Sequence, residues 1–210
     1  MPIVRRGKPK YNARARRRSF VETEGAPGGT IVLRTIRAGI FVVVALLVVI
    51  VLVVVTIGAF LPQQHISTCA ARFHQPPDAI WQVITDYAKF PAWRKDVTRV
   101  EMLAAVNGKP SWREFDNQGG SIPYEVMAMV PPRALVVRIA DPKLPFGGTW
   151  TYEISSAKDG SSLVRITEDG EIYNPIFRFA SRFVLGYSRT QEQYLQELGA
   201  KFGQGVTIEK

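Results

Sequence analysis

Apolar positions follow two unlike patterns along this chain. Ala38 to Leu61 is an unbroken run of 24 residues without a charge. From Gln64 onward, apolar and polar residues alternate in short stretches divided by turn residues. About 20 consecutive apolar residues span a bilayer core as a helix. Lipid leaves the backbone only internal hydrogen bonds, so a helix is the form such a run takes. A transmembrane helix over 38–61 is therefore expected. The run is too long and uniform for a core strand. It also exceeds the roughly 7–15 apolar residues of a cleaved signal peptide. Ile66-Ser67-Thr68-Cys69 is a faint lipoprotein-like alternative, but Thr68 is a poor residue before the cysteine and the site lies past the apolar run.

The remaining pattern predicts a strand, short helices, six strands and a long helix. Gln64–Phe73 reads as the first strand. Pro76-Pro77-Asp78 starts a helix, since proline and an acid both suit a first turn. Ile80, Val83, Ile84 and Tyr87 form its apolar stripe. Phe90-Pro91-Ala92-Trp93 breaks it. Strands follow over Val97–Leu103, Ser111–Asp116, Ile122–Val130, Ala134–Ala140, Thr149–Ser155 and Leu163–Ile172. Asn107-Gly108 marks a tight hairpin. Ile176, Ala180, Phe183, Tyr187, Tyr194, Leu198 and Phe202 recur at helical spacing, predicting one helix over 175–202.

Alternate residues of a strand share a face. The expected inward sets are Trp150, Tyr152 and Ile154; Tyr124, Val126, Ala128 and Val130; Leu135, Val137 and Ile139; and Val164, Ile166 and Glu168. They are apolar and rich in aromatics, which suits either a filled core or a pocket.

Charge changes the picture only at one end. The formal net charge is +9, yet positions 1–37 hold ten basic residues against Glu22 and Glu24, a net +8. The rest carries 17 basic and 16 acidic residues. Nucleic-acid binding would need basicity spread over a folded surface, and the tail lacks aromatic interleaving beyond Tyr11 and Phe20. Basic residues flank membrane helices on the cytoplasmic side and attract anionic lipid. The expected organisation is a basic flexible cytoplasmic tail over 1–37, the membrane helix over 38–61, and a domain over 62–210 outside the plasma membrane. Glu24–Thr30 reads as a flexible joint.

Candidate chemistry is sparse. Cys69 is the single cysteine, and His65 and His74 are the two histidines. A disulfide within the chain, a four-cysteine zinc site and a His-rich cage are excluded. No phosphate loop or Gly-x-Ser-x-Gly elbow occurs. No metal and no cofactor is expected, and Cys69 reads as a small buried hydrophobe. Glu168 is the acid most worth following, because its phase points it inward. A carboxylate in an apolar pocket can act as general acid or base. The plainer reading places it in water at a strand end, or paired with Arg165, Arg138 or Arg113. Asp86 is expected to shape the helix-to-turn junction. Trp93 and Arg94 fall near an expected cavity mouth. The stretch Asp141–Gly148 reads either as a gate, with Leu144 and Phe146 toward lipid, or as a stiff connection.

Pro77–Trp93 (PDAIWQVITDYAKFPAW), together with Gly147–Glu153 and the aromatic last helix, resembles the SRPBCC superfamily of START, birch-pollen-allergen and polyketide cyclase/dehydrase-like proteins. The likeness runs from about Gln64 to Gly203. It implies an α+β helix-grip fold, a seven-stranded antiparallel sheet wrapped around a long C-terminal helix, with the membrane helix as an addition. It also implies a hydrophobic ligand between sheet and helix. The leading expectation is a membrane-anchored binding protein or carrier for a lipid, isoprenoid, quinone or polyketide-like molecule. Tyr87, Trp93, Tyr124, Trp150, Tyr152, Ile166 and Phe183 are the expected lining. The alternatives are a cyclase or dehydratase, with Glu168, Tyr124 or Tyr152 moving protons, and a non-catalytic interaction module with a filled interior. Fold alone does not choose among them.

Overall fold

The computed structural model describes the backbone from residue 28 and side chains from residue 34, both to residue 210. The expected tail up to residue 27, and the part of the expected joint before Gly28, lie outside the described residues.

Helix α1 covers Gly28–Phe60, so it starts ten residues before the apolar run. No proline or glycine interrupts the chain from Thr30 to Arg37, and the charges there do not stop a helix. Within it, the 27 residues Arg34–Phe60 are long and apolar enough to cross a membrane. At about 1.5 Å per residue they reach about 40 Å, more than a hydrocarbon core requires.

The domain begins at β1, Gln64–Phe73. Helix α2, Pro77–Thr85, buries Ile80 and Ile84. A 3₁₀ turn over Tyr87–Ala92 follows. Then comes a meander of β2 (Arg99–Val106), β3 (Lys109–Phe115), β4 (Ser121–Val130), β5 (Ala134–Ile139), β6 (Phe146–Ser156) and β7 (Ser162–Ile172). Helix α3 spans Pro175–Ala180, helix α4 spans Arg189–Lys201, and β8 is Ile208–Glu209. The sheet is antiparallel with order β2-β3-β4-β5-β6-β7-β1-β8. Seven strands match expectation, and the two-residue β8 caps the β1 edge. Asn107 (φ 49°) and Gly108 (φ 74°) make the predicted turn between β2 and β3, whose left-handed pair matches strand twist.

Two expectations fail for local reasons. The register of β4 on β5 shifts between Val126 and Ala128. A bulge inserts one residue and reverses the alternation beyond it. Val126 stays in the core, but Val130 turns outward and Met129 packs inward in its place. The last helix is also not continuous. α3 runs into a wider π turn over Ser181–Leu185, and Gly186 at φ 77° ends it. The extra residue per turn shifts the phase, so 176–183 does not extend the buried stripe of α4. α4 itself buries Tyr194, Leu195 and Leu198 over the sheet. Leu195 and Leu198 meet Phe73, Val164 and Ile166 in one core cluster.

Candidate functional site

Between α4 and the concave face of the sheet lies a cavity of about 540 Å³. That is far more than the volume of an ordered water, and within the size range of small-molecule sites. Its walls come from the inward positions of β5 and β6: Leu135, Val137 and Ile139, then Trp150 and Tyr152. The cavity is not plugged by its own rings, because those rings stack along its walls. Tyr87 lies on Trp112 with ring centres 3.8 Å apart, and Trp112 stacks on Tyr124 at 5.5 Å. Tyr152 and Trp150 both pack on Tyr194 of α4.

One end carries a charge cluster. Arg94, just after the 3₁₀ turn, donates from Nη1 to Glu114 Oε2 at 2.9 Å and from Nη2 to Asp96 Oδ2 at 2.7 Å. Trp112 Nε1 donates to the other Glu114 oxygen at 2.9 Å. The guanidinium also lies over the rings of Phe90 and Tyr194. Burial pushes the Glu114 carboxyl up, and Arg94 and Trp112 pull it part of the way back. Burial likewise holds the Tyr124, Tyr152 and Tyr194 hydroxyls above their ordinary range and pushes Tyr87 up to about 12. These phenols stay protonated near neutral pH, and the Tyr87 hydroxyl is buried without a partner.

A second group of polar side chains lining the cavity is built on β1 and β7. His65 faces Gly170 across the strand pair, two residues from Glu168 on the same face. A Cβ at Gly170 would run into the imidazole, so the glycine makes room for it. His65 Nε2 lies 3.6 Å from Glu168 Oε1, too far for a hydrogen bond. His65 Nδ1 and Glu168 Oε2 are both buried without partners. The Tyr187 ring stacks on the imidazole at 4.1 Å. A carboxylate beside an imidazole in a largely apolar space can hold or pass a proton.

Four of the expected lining residues face the cavity together: Tyr87, Tyr124, Trp150 and Tyr152. Three sit elsewhere. Trp93 packs behind the wall against Phe90 and Tyr194. Ile166 is fully buried in the core. Phe183 is 59% exposed, because the π turn carries it outward. Glu168 does face inward, with His65 rather than an arginine beside it. Arg138 pairs with Glu125 and Arg165 with Glu153. Asp86 ends α2 and pairs with Lys89 at 2.7 Å. Cys69 is buried, and that burial pushes its thiol up.

His65 and Glu114 are the residues that pattern reading missed. His65 is in phase with Cys69 and Phe73 on β1, and that phase was the available signal. Glu114 carried none, since its role depends on Arg94 meeting it across the fold. Among the described residues, no group of three or more His, Cys, Asp or Glu gathers as a metal site would.

A curved antiparallel sheet closed by a C-terminal helix over an apolar cavity defines a helix-grip protein. Residues 67–202 match the family described as polyketide cyclase / dehydrase and lipid transport, and the chain belongs to that family. Solved structures of similar fold include a START superfamily protein from Mycobacterium smegmatis, with 18% identity, 65% of this chain and 96% of that chain covered, and a TM-score of 0.51. The Zhui aromatase/cyclase from Streptomyces sp. R1128 shows 12% identity, 64% and 91% coverage, and a TM-score of 0.52. Norcoclaurine synthase from Thalictrum flavum shows 9% identity, 66% and 86% coverage, and a TM-score of 0.52. At these identities the likeness is one of fold. Among curated protein sequences, none matches this chain.

Proposed function

We propose that the chain is a membrane-anchored binding protein or carrier for an apolar small molecule, held between the sheet and α4. The cavity of about 540 Å³ carries this reading. A lipid, isoprenoid, quinone or polyketide-like molecule would fit its chemistry. Each Å² of apolar ligand surface removed from water contributes about 25 cal/mol, and the phenol hydroxyls and Arg94 orient a polar end. The apolar α1 and the basic tail support an anchor in the plasma membrane, with the N-terminus inside and anionic lipid at the tail. The cavity favours this reading over the filled-interior alternative, which requires packed side chains in that space.

Native mass spectrometry of the detergent-extracted chain should show a co-purified apolar molecule. Val137 is buried in the wall and lines the cavity, so Val137→Trp replaces a small side chain by an indole that takes up cavity volume. It should lower occupancy by a pyrene-labelled fatty acid about tenfold, roughly 1.4 kcal/mol, in a chain that still unfolds cooperatively. A wild-type chain that stays empty against fatty acid, quinone and isoprenoid panels overturns the carrier reading.

The His65–Glu168 pair favours a second reading, a cyclase or dehydratase in the same cavity. Positioned proton transfer contributes about 10²–10⁴-fold. Glu168→Gln should then cut turnover of a ring-closing polyketide surrogate at least about a hundredfold, with occupancy unchanged. Equal turnover in wild type and variant removes the pair from any reaction.

A further inference from the structure

The segment between β7 and α4 carries an apolar surface that the cavity alone does not explain. Tyr173, Ile176, Phe177, Phe183, Val184 and Leu185 are all exposed, Val184 at 72%. Soluble surfaces seldom gather large apolar side chains so densely. Phe177 and Leu185 also line the cavity, so the patch and the cavity are continuous.

Two observations say what covers it. The first is place. Arg178 is buried and donates from Nη1 to the Leu61 carbonyl at 2.7 Å, one residue past the end of α1. Gly58 abuts the Pro175 carbonyl so closely that no Cβ would fit. The patch is thus fastened to the last turn of the helix that is long and apolar enough to cross a membrane. The second is charge. Residues 172–191 contain no acid and three arginines, Arg178, Arg182 and Arg189. Arg182 and Arg189 are exposed. Exposed apolar side chains interleaved with arginines complement the headgroup and acyl boundary of an anionic leaflet.

We infer that the segment from Tyr173 to Arg189 lies on the surface of an anionic bilayer and forms the side from which the cavity communicates with lipid. This rests on the membrane-anchored reading. The arrangement accounts for the helix break. The π turn and Gly186 rotate Phe183, Val184 and Leu185 outward, whereas a continuous helix would carry the stripe of α4 through them.

The test uses the full chain in vesicles of phosphatidylcholine and phosphatidylglycerol containing doxyl-labelled lipid. A bimane label is placed singly at Val184→Cys, Ile57→Cys or Lys158→Cys, with Cys69 replaced by serine. Lys158 lies past the far end of β6, about 35 Å along the strand from Phe146. Quenching at 184 near that at 57, with 158 unquenched, is the expected result. Removing Arg182 and Arg189 together (to Gln) should weaken the contact at 184 at least about fivefold on anionic vesicles. Quenching at 57 without quenching at 184 overturns the surface. No quenching at either position overturns both the anchor and the surface. Loading of a pyrene-labelled fatty acid is read in parallel. Quenching at 184 without loading keeps the surface and sinks the carrier reading, and loading without quenching does the reverse.

Discussion

Replacing Arg94 by methionine is expected to destabilise the domain by about 3–5 kcal/mol at neutral pH, because it strands Glu114 as a buried charge. The side chains of Arg94 and Glu114 are only 13% and 9% exposed. Methionine keeps the packing of the stem on Phe90 and Tyr194 but supplies no charge. The pH dependence separates this cause from lost packing. Burial already holds the Glu114 carboxyl above its ordinary value. The folded state therefore binds its proton more tightly than the unfolded chain does, and stability falls as pH rises through that window. Without Arg94 the value climbs further, so the deficit should be largest near neutral pH and shrink toward acid. Guanidinium unfolding of the full chain in detergent micelles, followed by tryptophan fluorescence, reads it. The double change Arg94→Met with Glu114→Leu should recover most of the loss, since a well-packed apolar pair often replaces a buried ion pair at little cost. A deficit equal at all pH values would show that packing was the cause.

That cluster also marks the limit of reading a site from pattern. Alternation found Leu135, Val137, Trp150 and Tyr152 because each lies on an unbroken strand, where phase alone decides which way a side chain points. It failed beyond Val126, where a single inserted residue at a bulge reversed the faces. It failed at Phe183 because the π turn over Ser181–Leu185 breaks the 3.6-residue phase on which the stripe was read, and Gly186 within an apolar stretch reads as a tolerated helical glycine. Arg94 and Glu114 are twenty residues apart, one in the loop before β2 and the other on β3. Nothing local requires them to meet. His65 was legible by phase on β1. Its stack with Tyr187 was not, because that contact depends on where the broken helix resumes.

Gln191 shows the same limit from the polar side, and its exchange for glutamate should be among the costliest conservative changes in the domain. Its side chain is fully buried. Nε2 donates to the carbonyls of Ser67 at 3.0 Å and Ile166 at 3.2 Å, and Oε1 accepts from Ser67 Oγ at 2.9 Å. This amide ties the first turn of α4 to β1 and β7, and so sets the height of the roof over the cavity. A carboxylate there would keep one acceptor role and turn its second oxygen on two carbonyl oxygens. It would have no donor and no counterion, at a cost of about 3–5 kcal/mol near neutral pH. Protonation restores one O–H donor. Burial and the facing carbonyls both raise the variant's carboxyl value, so its stability should recover as pH falls and be lost as pH rises. Gln191→Met removes the same bonds without a charge. It should cost about 1–3 kcal/mol at every pH, the penalty of leaving buried groups unpaired. Amide hydrogen exchange along 189–201 locates the effect. If α4 is the roof, its amides should lose protection in Gln191→Glu at neutral pH while those of β2 and β3 keep theirs. Protection lost equally across the sheet would mean that Gln191 supports the whole core and does not specifically position α4.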